Sequence, residues 1–119
     1  MERKYKTMGT RSTTTVYDES GTPLVCLYRQ YDGYPEGHGV ELNAFLAGKK
    51  LVNGIPVGKP GFNPEMHFNG MGCLAASIVA HFKKKIGDFY IYPPGNVQQY
   101  NYHVKCDDLG NIVVTVTEE

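Results

Sequence analysis

The segment from Asn69 to Lys85 carries the clearest helical pattern in this chain. Its apolar side chains recur at spacings of three and four residues, namely Met71, Leu74, Ala75, Ile78, Val79, Phe82 and, one position beyond, Ile86. Such spacing places them on one face of an α-helix. Lys83, Lys84 and Lys85 follow at the end where the helix dipole favours cations. The fold must therefore bury the face of one long helix against other apolar elements.

Strand-like segments flank this helix on both sides. Alternating, β-branched and aromatic residues predict two strands before it and three after it, over 11–17, 23–31, 88–92, 99–106 and 111–117. Most of the intervening turns are too short for parallel crossovers, which favours antiparallel pairing. A shorter helix over about 38–47, with Leu42, Phe45 and Leu46 at helical spacing, completes the order β-β-α-α-β-β-β. We predict an α+β fold, a largely antiparallel five-stranded sheet with two helices packed on one face.

The length of 119 residues allows one domain with a real core. We assign residues 1–10, which are polar, to a flexible N-terminal segment and residues 11–119 to a single α+β domain. Residues 50–68 hold several glycines and prolines and are predicted to be irregular. Irregular segments of this length inside a compact domain are often functional.

Composition and charge narrow the classes of function. Twelve basic residues balance twelve acidic ones, so the net charge is zero. This argues against binding of bulk nucleic acid, and it means that charge repulsion does not oppose self-association. The three cysteines are far apart and form no CxxC motif, which favours a reducing cytoplasm over a disulfide framework. No apolar run approaches the roughly 18 residues of a membrane span. The four histidines are isolated from one another, so we expect neither a metal nor a cofactor.

An anion-binding candidate lies near the end of the second strand. Arg29, one of three arginines, stands close to Tyr31 and Asp32. A guanidinium binds phosphate through two hydrogen bonds and stacks on rings, while a carboxylate accepts hydrogen bonds from ribose hydroxyls. This combination suggests a nucleotide-like ligand. The alternative is a surface ion pair between Arg29 and Asp32.

The start of the long helix is a second candidate. Asn69 and Met71 alternate there with two glycines, which would let a phosphate approach the positive end of the helix. Close helix packing explains the glycines equally well. Cys73 could act as a nucleophile in this position, but we expect it to be a small buried residue.

Further candidates are aromatic rings and amides. Phe82 and Phe89 are expected to be core residues, although either could stack a base at the rim of a site, as could Tyr90. The turn over 92–102 supplies amides that suit purine edges and ribose hydroxyls, namely Asn96, Gln99 and Asn101. A plain polar hairpin is the alternative for this turn. Because no acid–base pair is evident, these groups suit binding more than turnover.

Five blocks of the sequence resemble a known family. RSTTTVYD, LYRQYDGYPEGHG, FNGMGCLAASIVAHFK, DFYIYPPG and YNYHV, which span most of residues 11–104, are similar to blocks of small phage proteins of the first Thoeris anti-defence type. The second and third blocks are the most distinctive. The resemblance implies a protein that binds cyclic ADP-ribose isomers made by a bacterial immune TIR-domain protein. It holds them without cleavage, so the NAD-depleting effector stays inactive.

The resemblance also implies an assembly and a compartment. Members of the family form dimers that assemble into hexamers, with ligand pockets at subunit contacts, and some bind cyclic trinucleotides at separate sites. We accordingly expect a homo-oligomer in the cytoplasm of the infected bacterial host, without catalytic residues. The family's contacts include arginines, and this chain has none after Arg29.

Within this resemblance, each candidate residue has an expected role. Arg29 would bind the pyrophosphate, Phe82 or Phe89 with Tyr90 would stack the adenine, and the amides of the 92–102 turn would hold ribose or base edges. Two other functions stay open. A nucleotide-signal hydrolase would need a metal cluster or a base, and Asp32, Glu36 and His38 share one loop. A small virion or scaffold protein would also fit tyrosine-rich strands and zero net charge.

Overall fold

The computed structural model describes residues 9–56 and 58–119. The flexible segment predicted over residues 1–10 lies outside this part of the chain, apart from its last two residues. The strands and helices, in chain order, are β1 (Ser12–Tyr17), β2 (Pro23–Arg29), α1 (Val40–Leu46), β3 (Lys50–Val52), β4 (His67–Asn69), α2 (Gly70–Phe82), β5 (Phe89–Tyr92), β6 (Tyr100–Cys106) and β7 (Ile112–Glu118).

Five strands form the main sheet, in the order β5-β2-β1-β6-β7. β1 pairs with β6 in parallel, while β2 with β1, β5 with β2 and β7 with β6 are antiparallel. The parallel pair is possible because both helices lie between its strands in the sequence, which gives the chain enough length to cross over. This architecture confirms the predicted α+β fold with a largely antiparallel sheet.

The core lies between the helices and one face of the sheet. Its buried apolar side chains come from both layers: Val16, Leu27, Phe89, Tyr102 and Val104 from the main sheet, Phe68 from β4, Leu42 and Leu46 from α1, and Met71, Leu74, Ala75, Ile78 and Phe82 from α2. Across residues 9–56 and 58–119, no helix has both the length and the apolar character needed to cross a membrane.

Two details of the long helix differ from the sequence prediction. The helix ends at Phe82 because Lys83 adopts an extended conformation (φ −84°, ψ 100°). Ile86 therefore does not extend the apolar stripe and is 97% exposed. The expectation that Cys73 is buried is also wrong, since its side chain is exposed on α2.

A second, two-stranded sheet occupies part of the segment that was predicted to be irregular. β3 and β4 pair in parallel, with Lys50 opposite His67 and Val52 opposite Asn69. The residues between them, 53–66, provide the crossover that a parallel pair requires. Strands of three residues between glycines and prolines carry too little alternation to be recognised in the sequence.

A π-helical turn, Pro35–Gly39, leads into α1 and fixes the loop that follows β2. The hydroxyl of Tyr102 donates to the carbonyl oxygen of Gly33 at 2.7 Å. A Cβ at Gly33 would lie 2.6 Å from the Cβ of Ser12, so only glycine allows this approach to β1. Because the loop packs this closely against β1, His38 lies in the core, where it is 1% exposed.

Candidate functional site

A cleft of about 690 Å³ opens between α1, the end of α2 and the start of β5. Glu41, Ala44 and Phe45 of α1 form one wall, as their spacing on one helix face requires. The remaining lining residues are Arg29, Lys49, His81, Phe82, Lys84, Lys85, Gly87, Asp88 and Phe89. Three residues proposed from the sequence, Arg29, Phe82 and Phe89, thus meet in one cleft.

Arg29, the last residue of β2, is largely buried at 8% exposure. Its Nη1 donates to Oε1 of Glu41 at 3.0 Å and lies 3.1 Å from Nδ1 of His38. The guanidinium carbon stands 5.0 Å from the ring centroid of Phe89, its pairing partner on β5. The carboxylate bound by Arg29 is that of Glu41, not that of Asp32 as the surface-pair interpretation required.

Aromatic rings form two contacts along the cleft. Phe82 and Phe89 pack with their centroids 5.4 Å apart. Phe45 and His81 stack at 4.1 Å with an interplanar angle of 19°. Partial burial, followed by the charges of Lys84 and Lys49, lowers the pKa of His81. The shift favours the neutral form of the stacked imidazole, and the pair presents a flat surface beside the charged groups of the cleft.

The charges of the cleft are predominantly positive. Arg29, Lys49, Lys84 and Lys85 line it together with two carboxylates, those of Glu41 and Asp88. Lys49 donates to the carbonyl oxygen of Phe45, and Lys84 donates to that of Ala80 at 3.0 Å. A local excess of cations in a protein of zero net charge attracts anions to this cleft.

Two polar atoms of the cleft residues are buried without a hydrogen-bond partner. They are Nε of Arg29 and Oδ1 of Asp88, and neither finds a partner within the described part of the chain. Asp88 also has a left-handed backbone (φ 68°), which is uncommon for a residue with a side chain. Unsatisfied buried groups cost about 1–3 kcal/mol each. Incomplete hydrogen bonding of this kind favours a ligand site over a purely structural cavity.

His38 lies beneath the cleft, between the sheet and α2. Its Nε2 is 2.7 Å from Oγ1 of Thr14, and its ring packs against Phe82 at 5.0 Å. Burial, and secondarily the charge of Arg29, lower the pKa of His38 to about 3. The imidazole is therefore neutral at pH 7, and both of its nitrogens are engaged inside the protein.

Tyr31, Asp32 and Tyr90 are exposed and lie outside the described lining of the cleft. The hydroxyl of Tyr34 approaches Oδ1 of Asp32 at 3.5 Å. Tyr90 projects from β5, with Nζ of Lys83 5.5 Å from its ring centroid. Although Tyr31 and Asp32 follow Arg29 closely in sequence, the chain turns away after β2, so they do not share its cleft.

Two amides of the 92–102 turn, those of Asn96 and Asn101, bind groups of the turn itself and, for Asn101, of β1. Oδ1 of Asn101, a buried residue, accepts from Thr13 Oγ1 at 2.8 Å and from the Gln98 amide at 2.9 Å. Oδ1 of Asn96 accepts from the Gln98 side chain at 2.7 Å, and Gln99 is exposed. These three candidates, Asn96, Gln99 and Asn101, are not among the residues that line the cleft. The alternative of a polar hairpin is wrong as well, because β5 and β6, which this turn connects, are separated in the main sheet by β2 and β1.

The start of α2 faces a different, acidic cavity of about 890 Å³. Oε2 of Glu19 accepts from the Met71 amide at 2.8 Å, so a carboxylate of the protein already occupies the positive end of the helix. Asn69 uses its Oδ1 to accept from the Gly54 amide at 2.7 Å, while Met71 is fully buried in the core. Because Asp107 and Asp108 line the same cavity, it is unfavourable for phosphate.

Several lining residues of the cleft were not identified from the sequence, namely Glu41, Phe45, Lys49, His81, Lys84, Lys85 and Asp88. Helical spacing places Glu41 and Phe45 on one face of α1, and this is the sequence pattern from which their shared position could have been predicted. The sequence pattern explains Lys84 and Lys85 as favourable charges at the end of the long helix and does not assign them to a site. Comparisons of the chain with protein-family models, curated proteins and solved structures found no significant match.

Proposed function

We propose that this protein binds a cyclic ADP-ribose isomer in the cleft around Arg29 and sequesters it without cleavage. The observation that carries the proposal is the meeting of a largely buried arginine, three phenylalanine rings and three lysines in a cleft of about 690 Å³. Small-molecule sites commonly have volumes of about 300–1,000 Å³. A pyrophosphate flanked by a base and riboses matches this combination of charge and flat apolar surface.

The Arg29 guanidinium supplies the anchor for the pyrophosphate. Its Nη1 already binds one oxyanion, the carboxylate of Glu41, at 3.0 Å. Glu41 is half-exposed whereas Arg29 is not, so the carboxylate is the partner that can move aside for a ligand phosphate. Charge-assisted hydrogen bonds to an arginine are among the strongest that a binding site can offer.

The rings and the lysines complete the recognition of a nucleotide. The stacked Phe45–His81 pair offers a flat surface for a base, and the largely buried rings of Phe82 and Phe89 add apolar lining beside it. Lys84 and Lys85 add positive charge beside the arginine. Binding therefore combines charge neutralisation with burial of a planar ring, and each part contributes to affinity.

For the acid–base candidates of the loop after β2, the state of His38 supports retention rather than hydrolysis. Among Asp32, Glu36 and His38, which share one loop, His38 is closest to the cleft through its contact with Arg29. Its ring nitrogens are engaged by Thr14 and Arg29, and its pKa of about 3 is far below the value that suits a general base at pH 7.

The family resemblance supplies the biological part of the proposal. The ligand would be the signal of a bacterial TIR-domain protein, captured in the cytoplasm of a phage-infected host by a dimer or hexamer of this chain. Cyclic trinucleotides are a second class of ligand to test. The nucleotide-signal hydrolase and the virion or scaffold protein remain the competing hypotheses.

Capture and release tests these hypotheses together. The protein is incubated with a TIR-derived cyclic ADP-ribose isomer, separated from free ligand and denatured by heat, and the released compound is analysed. Intact ligand in stoichiometric amount is the expected result. Altered ligand would favour the hydrolase, and no capture would favour the scaffold protein. Lys84→Ala and Lys105→Ala remove the same charge inside and outside the cleft, so only Lys84→Ala should reduce capture.

A further inference from the structure

Arg29 is held by two side chains of different character. Glu41 contributes a charged, half-exposed carboxylate, whereas His38 contributes a neutral ring that is 1% exposed. Both contact the same nitrogen of the guanidinium, at 3.0 Å and 3.1 Å. The exposed contact can be exchanged for a ligand, but the buried one cannot be replaced by water.

The contact with Arg29 fixes the tautomer of His38. A guanidinium can only donate hydrogen bonds, so Nδ1 of His38 must accept and carry no hydrogen. The hydrogen of the neutral ring is then on Nε2, which donates to Oγ1 of Thr14 at 2.7 Å. Thr14 lies in the central strand β1 and is 1% exposed. A continuous series of hydrogen bonds therefore links β1 to the guanidinium.

The surrounding rings hold the imidazole in this orientation. Phe82 packs on it at 5.0 Å, and Tyr102 meets it edge-on at 4.9 Å. A close-packed interior leaves a ring little freedom to flip. The position of Arg29 is thus determined from within the core, independently of any ligand.

We infer that His38 is a positioning residue, which takes its orientation from Thr14 and holds the Arg29 guanidinium ready for an anionic ligand. Because the imidazole is neutral, it orients the guanidinium without cancelling its charge, as a buried carboxylate would. The role of Arg29 toward the ligand rests on the proposed function. The tautomer and the Thr14–His38–Arg29 series are properties of the free protein and can be tested without a ligand.

The tautomer is measured by long-range ¹H–¹⁵N correlation NMR of the histidine rings in the free protein. We expect His38 to be neutral with its hydrogen on Nε2. Arg29 should give a slowly exchanging Nη–H signal, because Nη1 is the atom that His38 and Glu41 contact, and the signal is assigned among the three arginines by its loss in Arg29→Lys. A hydrogen on Nδ1 of His38 would overturn the inference, because that nitrogen could not then accept from Arg29.

Thr14→Val removes the acceptor of Nε2 at nearly constant volume, and Thr14→Ser restores it. We expect Thr14→Val to weaken binding of inorganic pyrophosphate by about fivefold, the worth of one hydrogen bond, and Thr14→Ser to recover most of it. Equal affinity in folded Thr14→Val would overturn the inference. Failure of the wild-type protein to bind pyrophosphate would count against the proposed function, while the tautomer measurement still decides the role of His38.

Discussion

Glu41→Gln should weaken the fold slightly and strengthen ligand binding. In the free protein the Glu41 carboxylate lies 3.0 Å from Arg29 Nη1, where a ligand phosphate would bind. The side chain of Glu41 is 50% exposed and that of Arg29 is 9% exposed, so solvent screening limits the pair to about 1 kcal/mol. Removing the competing carboxylate should thus raise the affinity for a cyclic ADP-ribose isomer about fivefold.

Glu41→Gln should lower the stability of the fold while it raises the affinity for the ligand. Loss of the ion pair should lower the free energy of unfolding by up to about 1 kcal/mol, which corresponds to a fall in Tm of about 4 °C. Calorimetric titration in low-salt buffer measures the affinity, because added salt screens the effect. Asp108→Asn is the matched control, since it removes one negative charge outside the cleft. Unchanged or reduced affinity in Glu41→Gln would refute the view that Glu41 occupies the phosphate position.

Three further predictions concern Arg29 and the loop beside it. Arg29→Ala should weaken ligand binding by at least about 1.5 kcal/mol in calorimetric titrations; unchanged affinity in a folded variant would remove Arg29 from the site. The free energy of unfolding, measured by urea denaturation, should fall as the pH drops from 6.5 toward 3, by up to about 1.4 kcal/mol per pH unit, because unfolded His38 takes up a proton first. A flat profile in that window would contradict the burial of a neutral His38. Gly37→Ala should lower stability by about 1–3 kcal/mol, since its Cβ would lie 2.5 Å from the carbonyl oxygen of Asp32. Gly72→Ala, which lies in α2 and meets nothing within 4 Å, should be neutral or slightly stabilising, and equal thermal stability of the two variants would argue against the close packing of the turn.

Local patterns predicted the main elements of the fold well. Alternation identified all five strands of the main sheet, and the apolar stripe identified α2 as far as Phe82. The parallel pairing of β1 with β6 could not be deduced, because residue periodicity does not state which strands become neighbours. β3 and β4 could not be predicted, because strands of three residues are too short to show an alternating pattern.

The candidate site was predictable only where residue type was informative by itself. Arg29 stood out because arginine is rare in this chain, and Phe82 and Phe89 because large rings can stack bases. Glu41 approaches Arg29 across 12 positions of sequence, a contact that depends on how α1 packs against β2. The amide of Asn101 was a reasonable candidate, but hydrogen bonds within its own turn and to Thr13 occupy it.

The location of the bound ligand tests the central proposal most directly. The ¹⁵N-labelled protein is titrated with a cyclic ADP-ribose isomer while the backbone amide signals are followed. The proposal predicts that the largest shifts come from the residues of the cleft, above all Arg29, Ala44, Gly87 and Phe89. Saturable shifts confined to the 96–101 turn or to the acidic cavity beside Glu19 would contradict it, as would the absence of any shift.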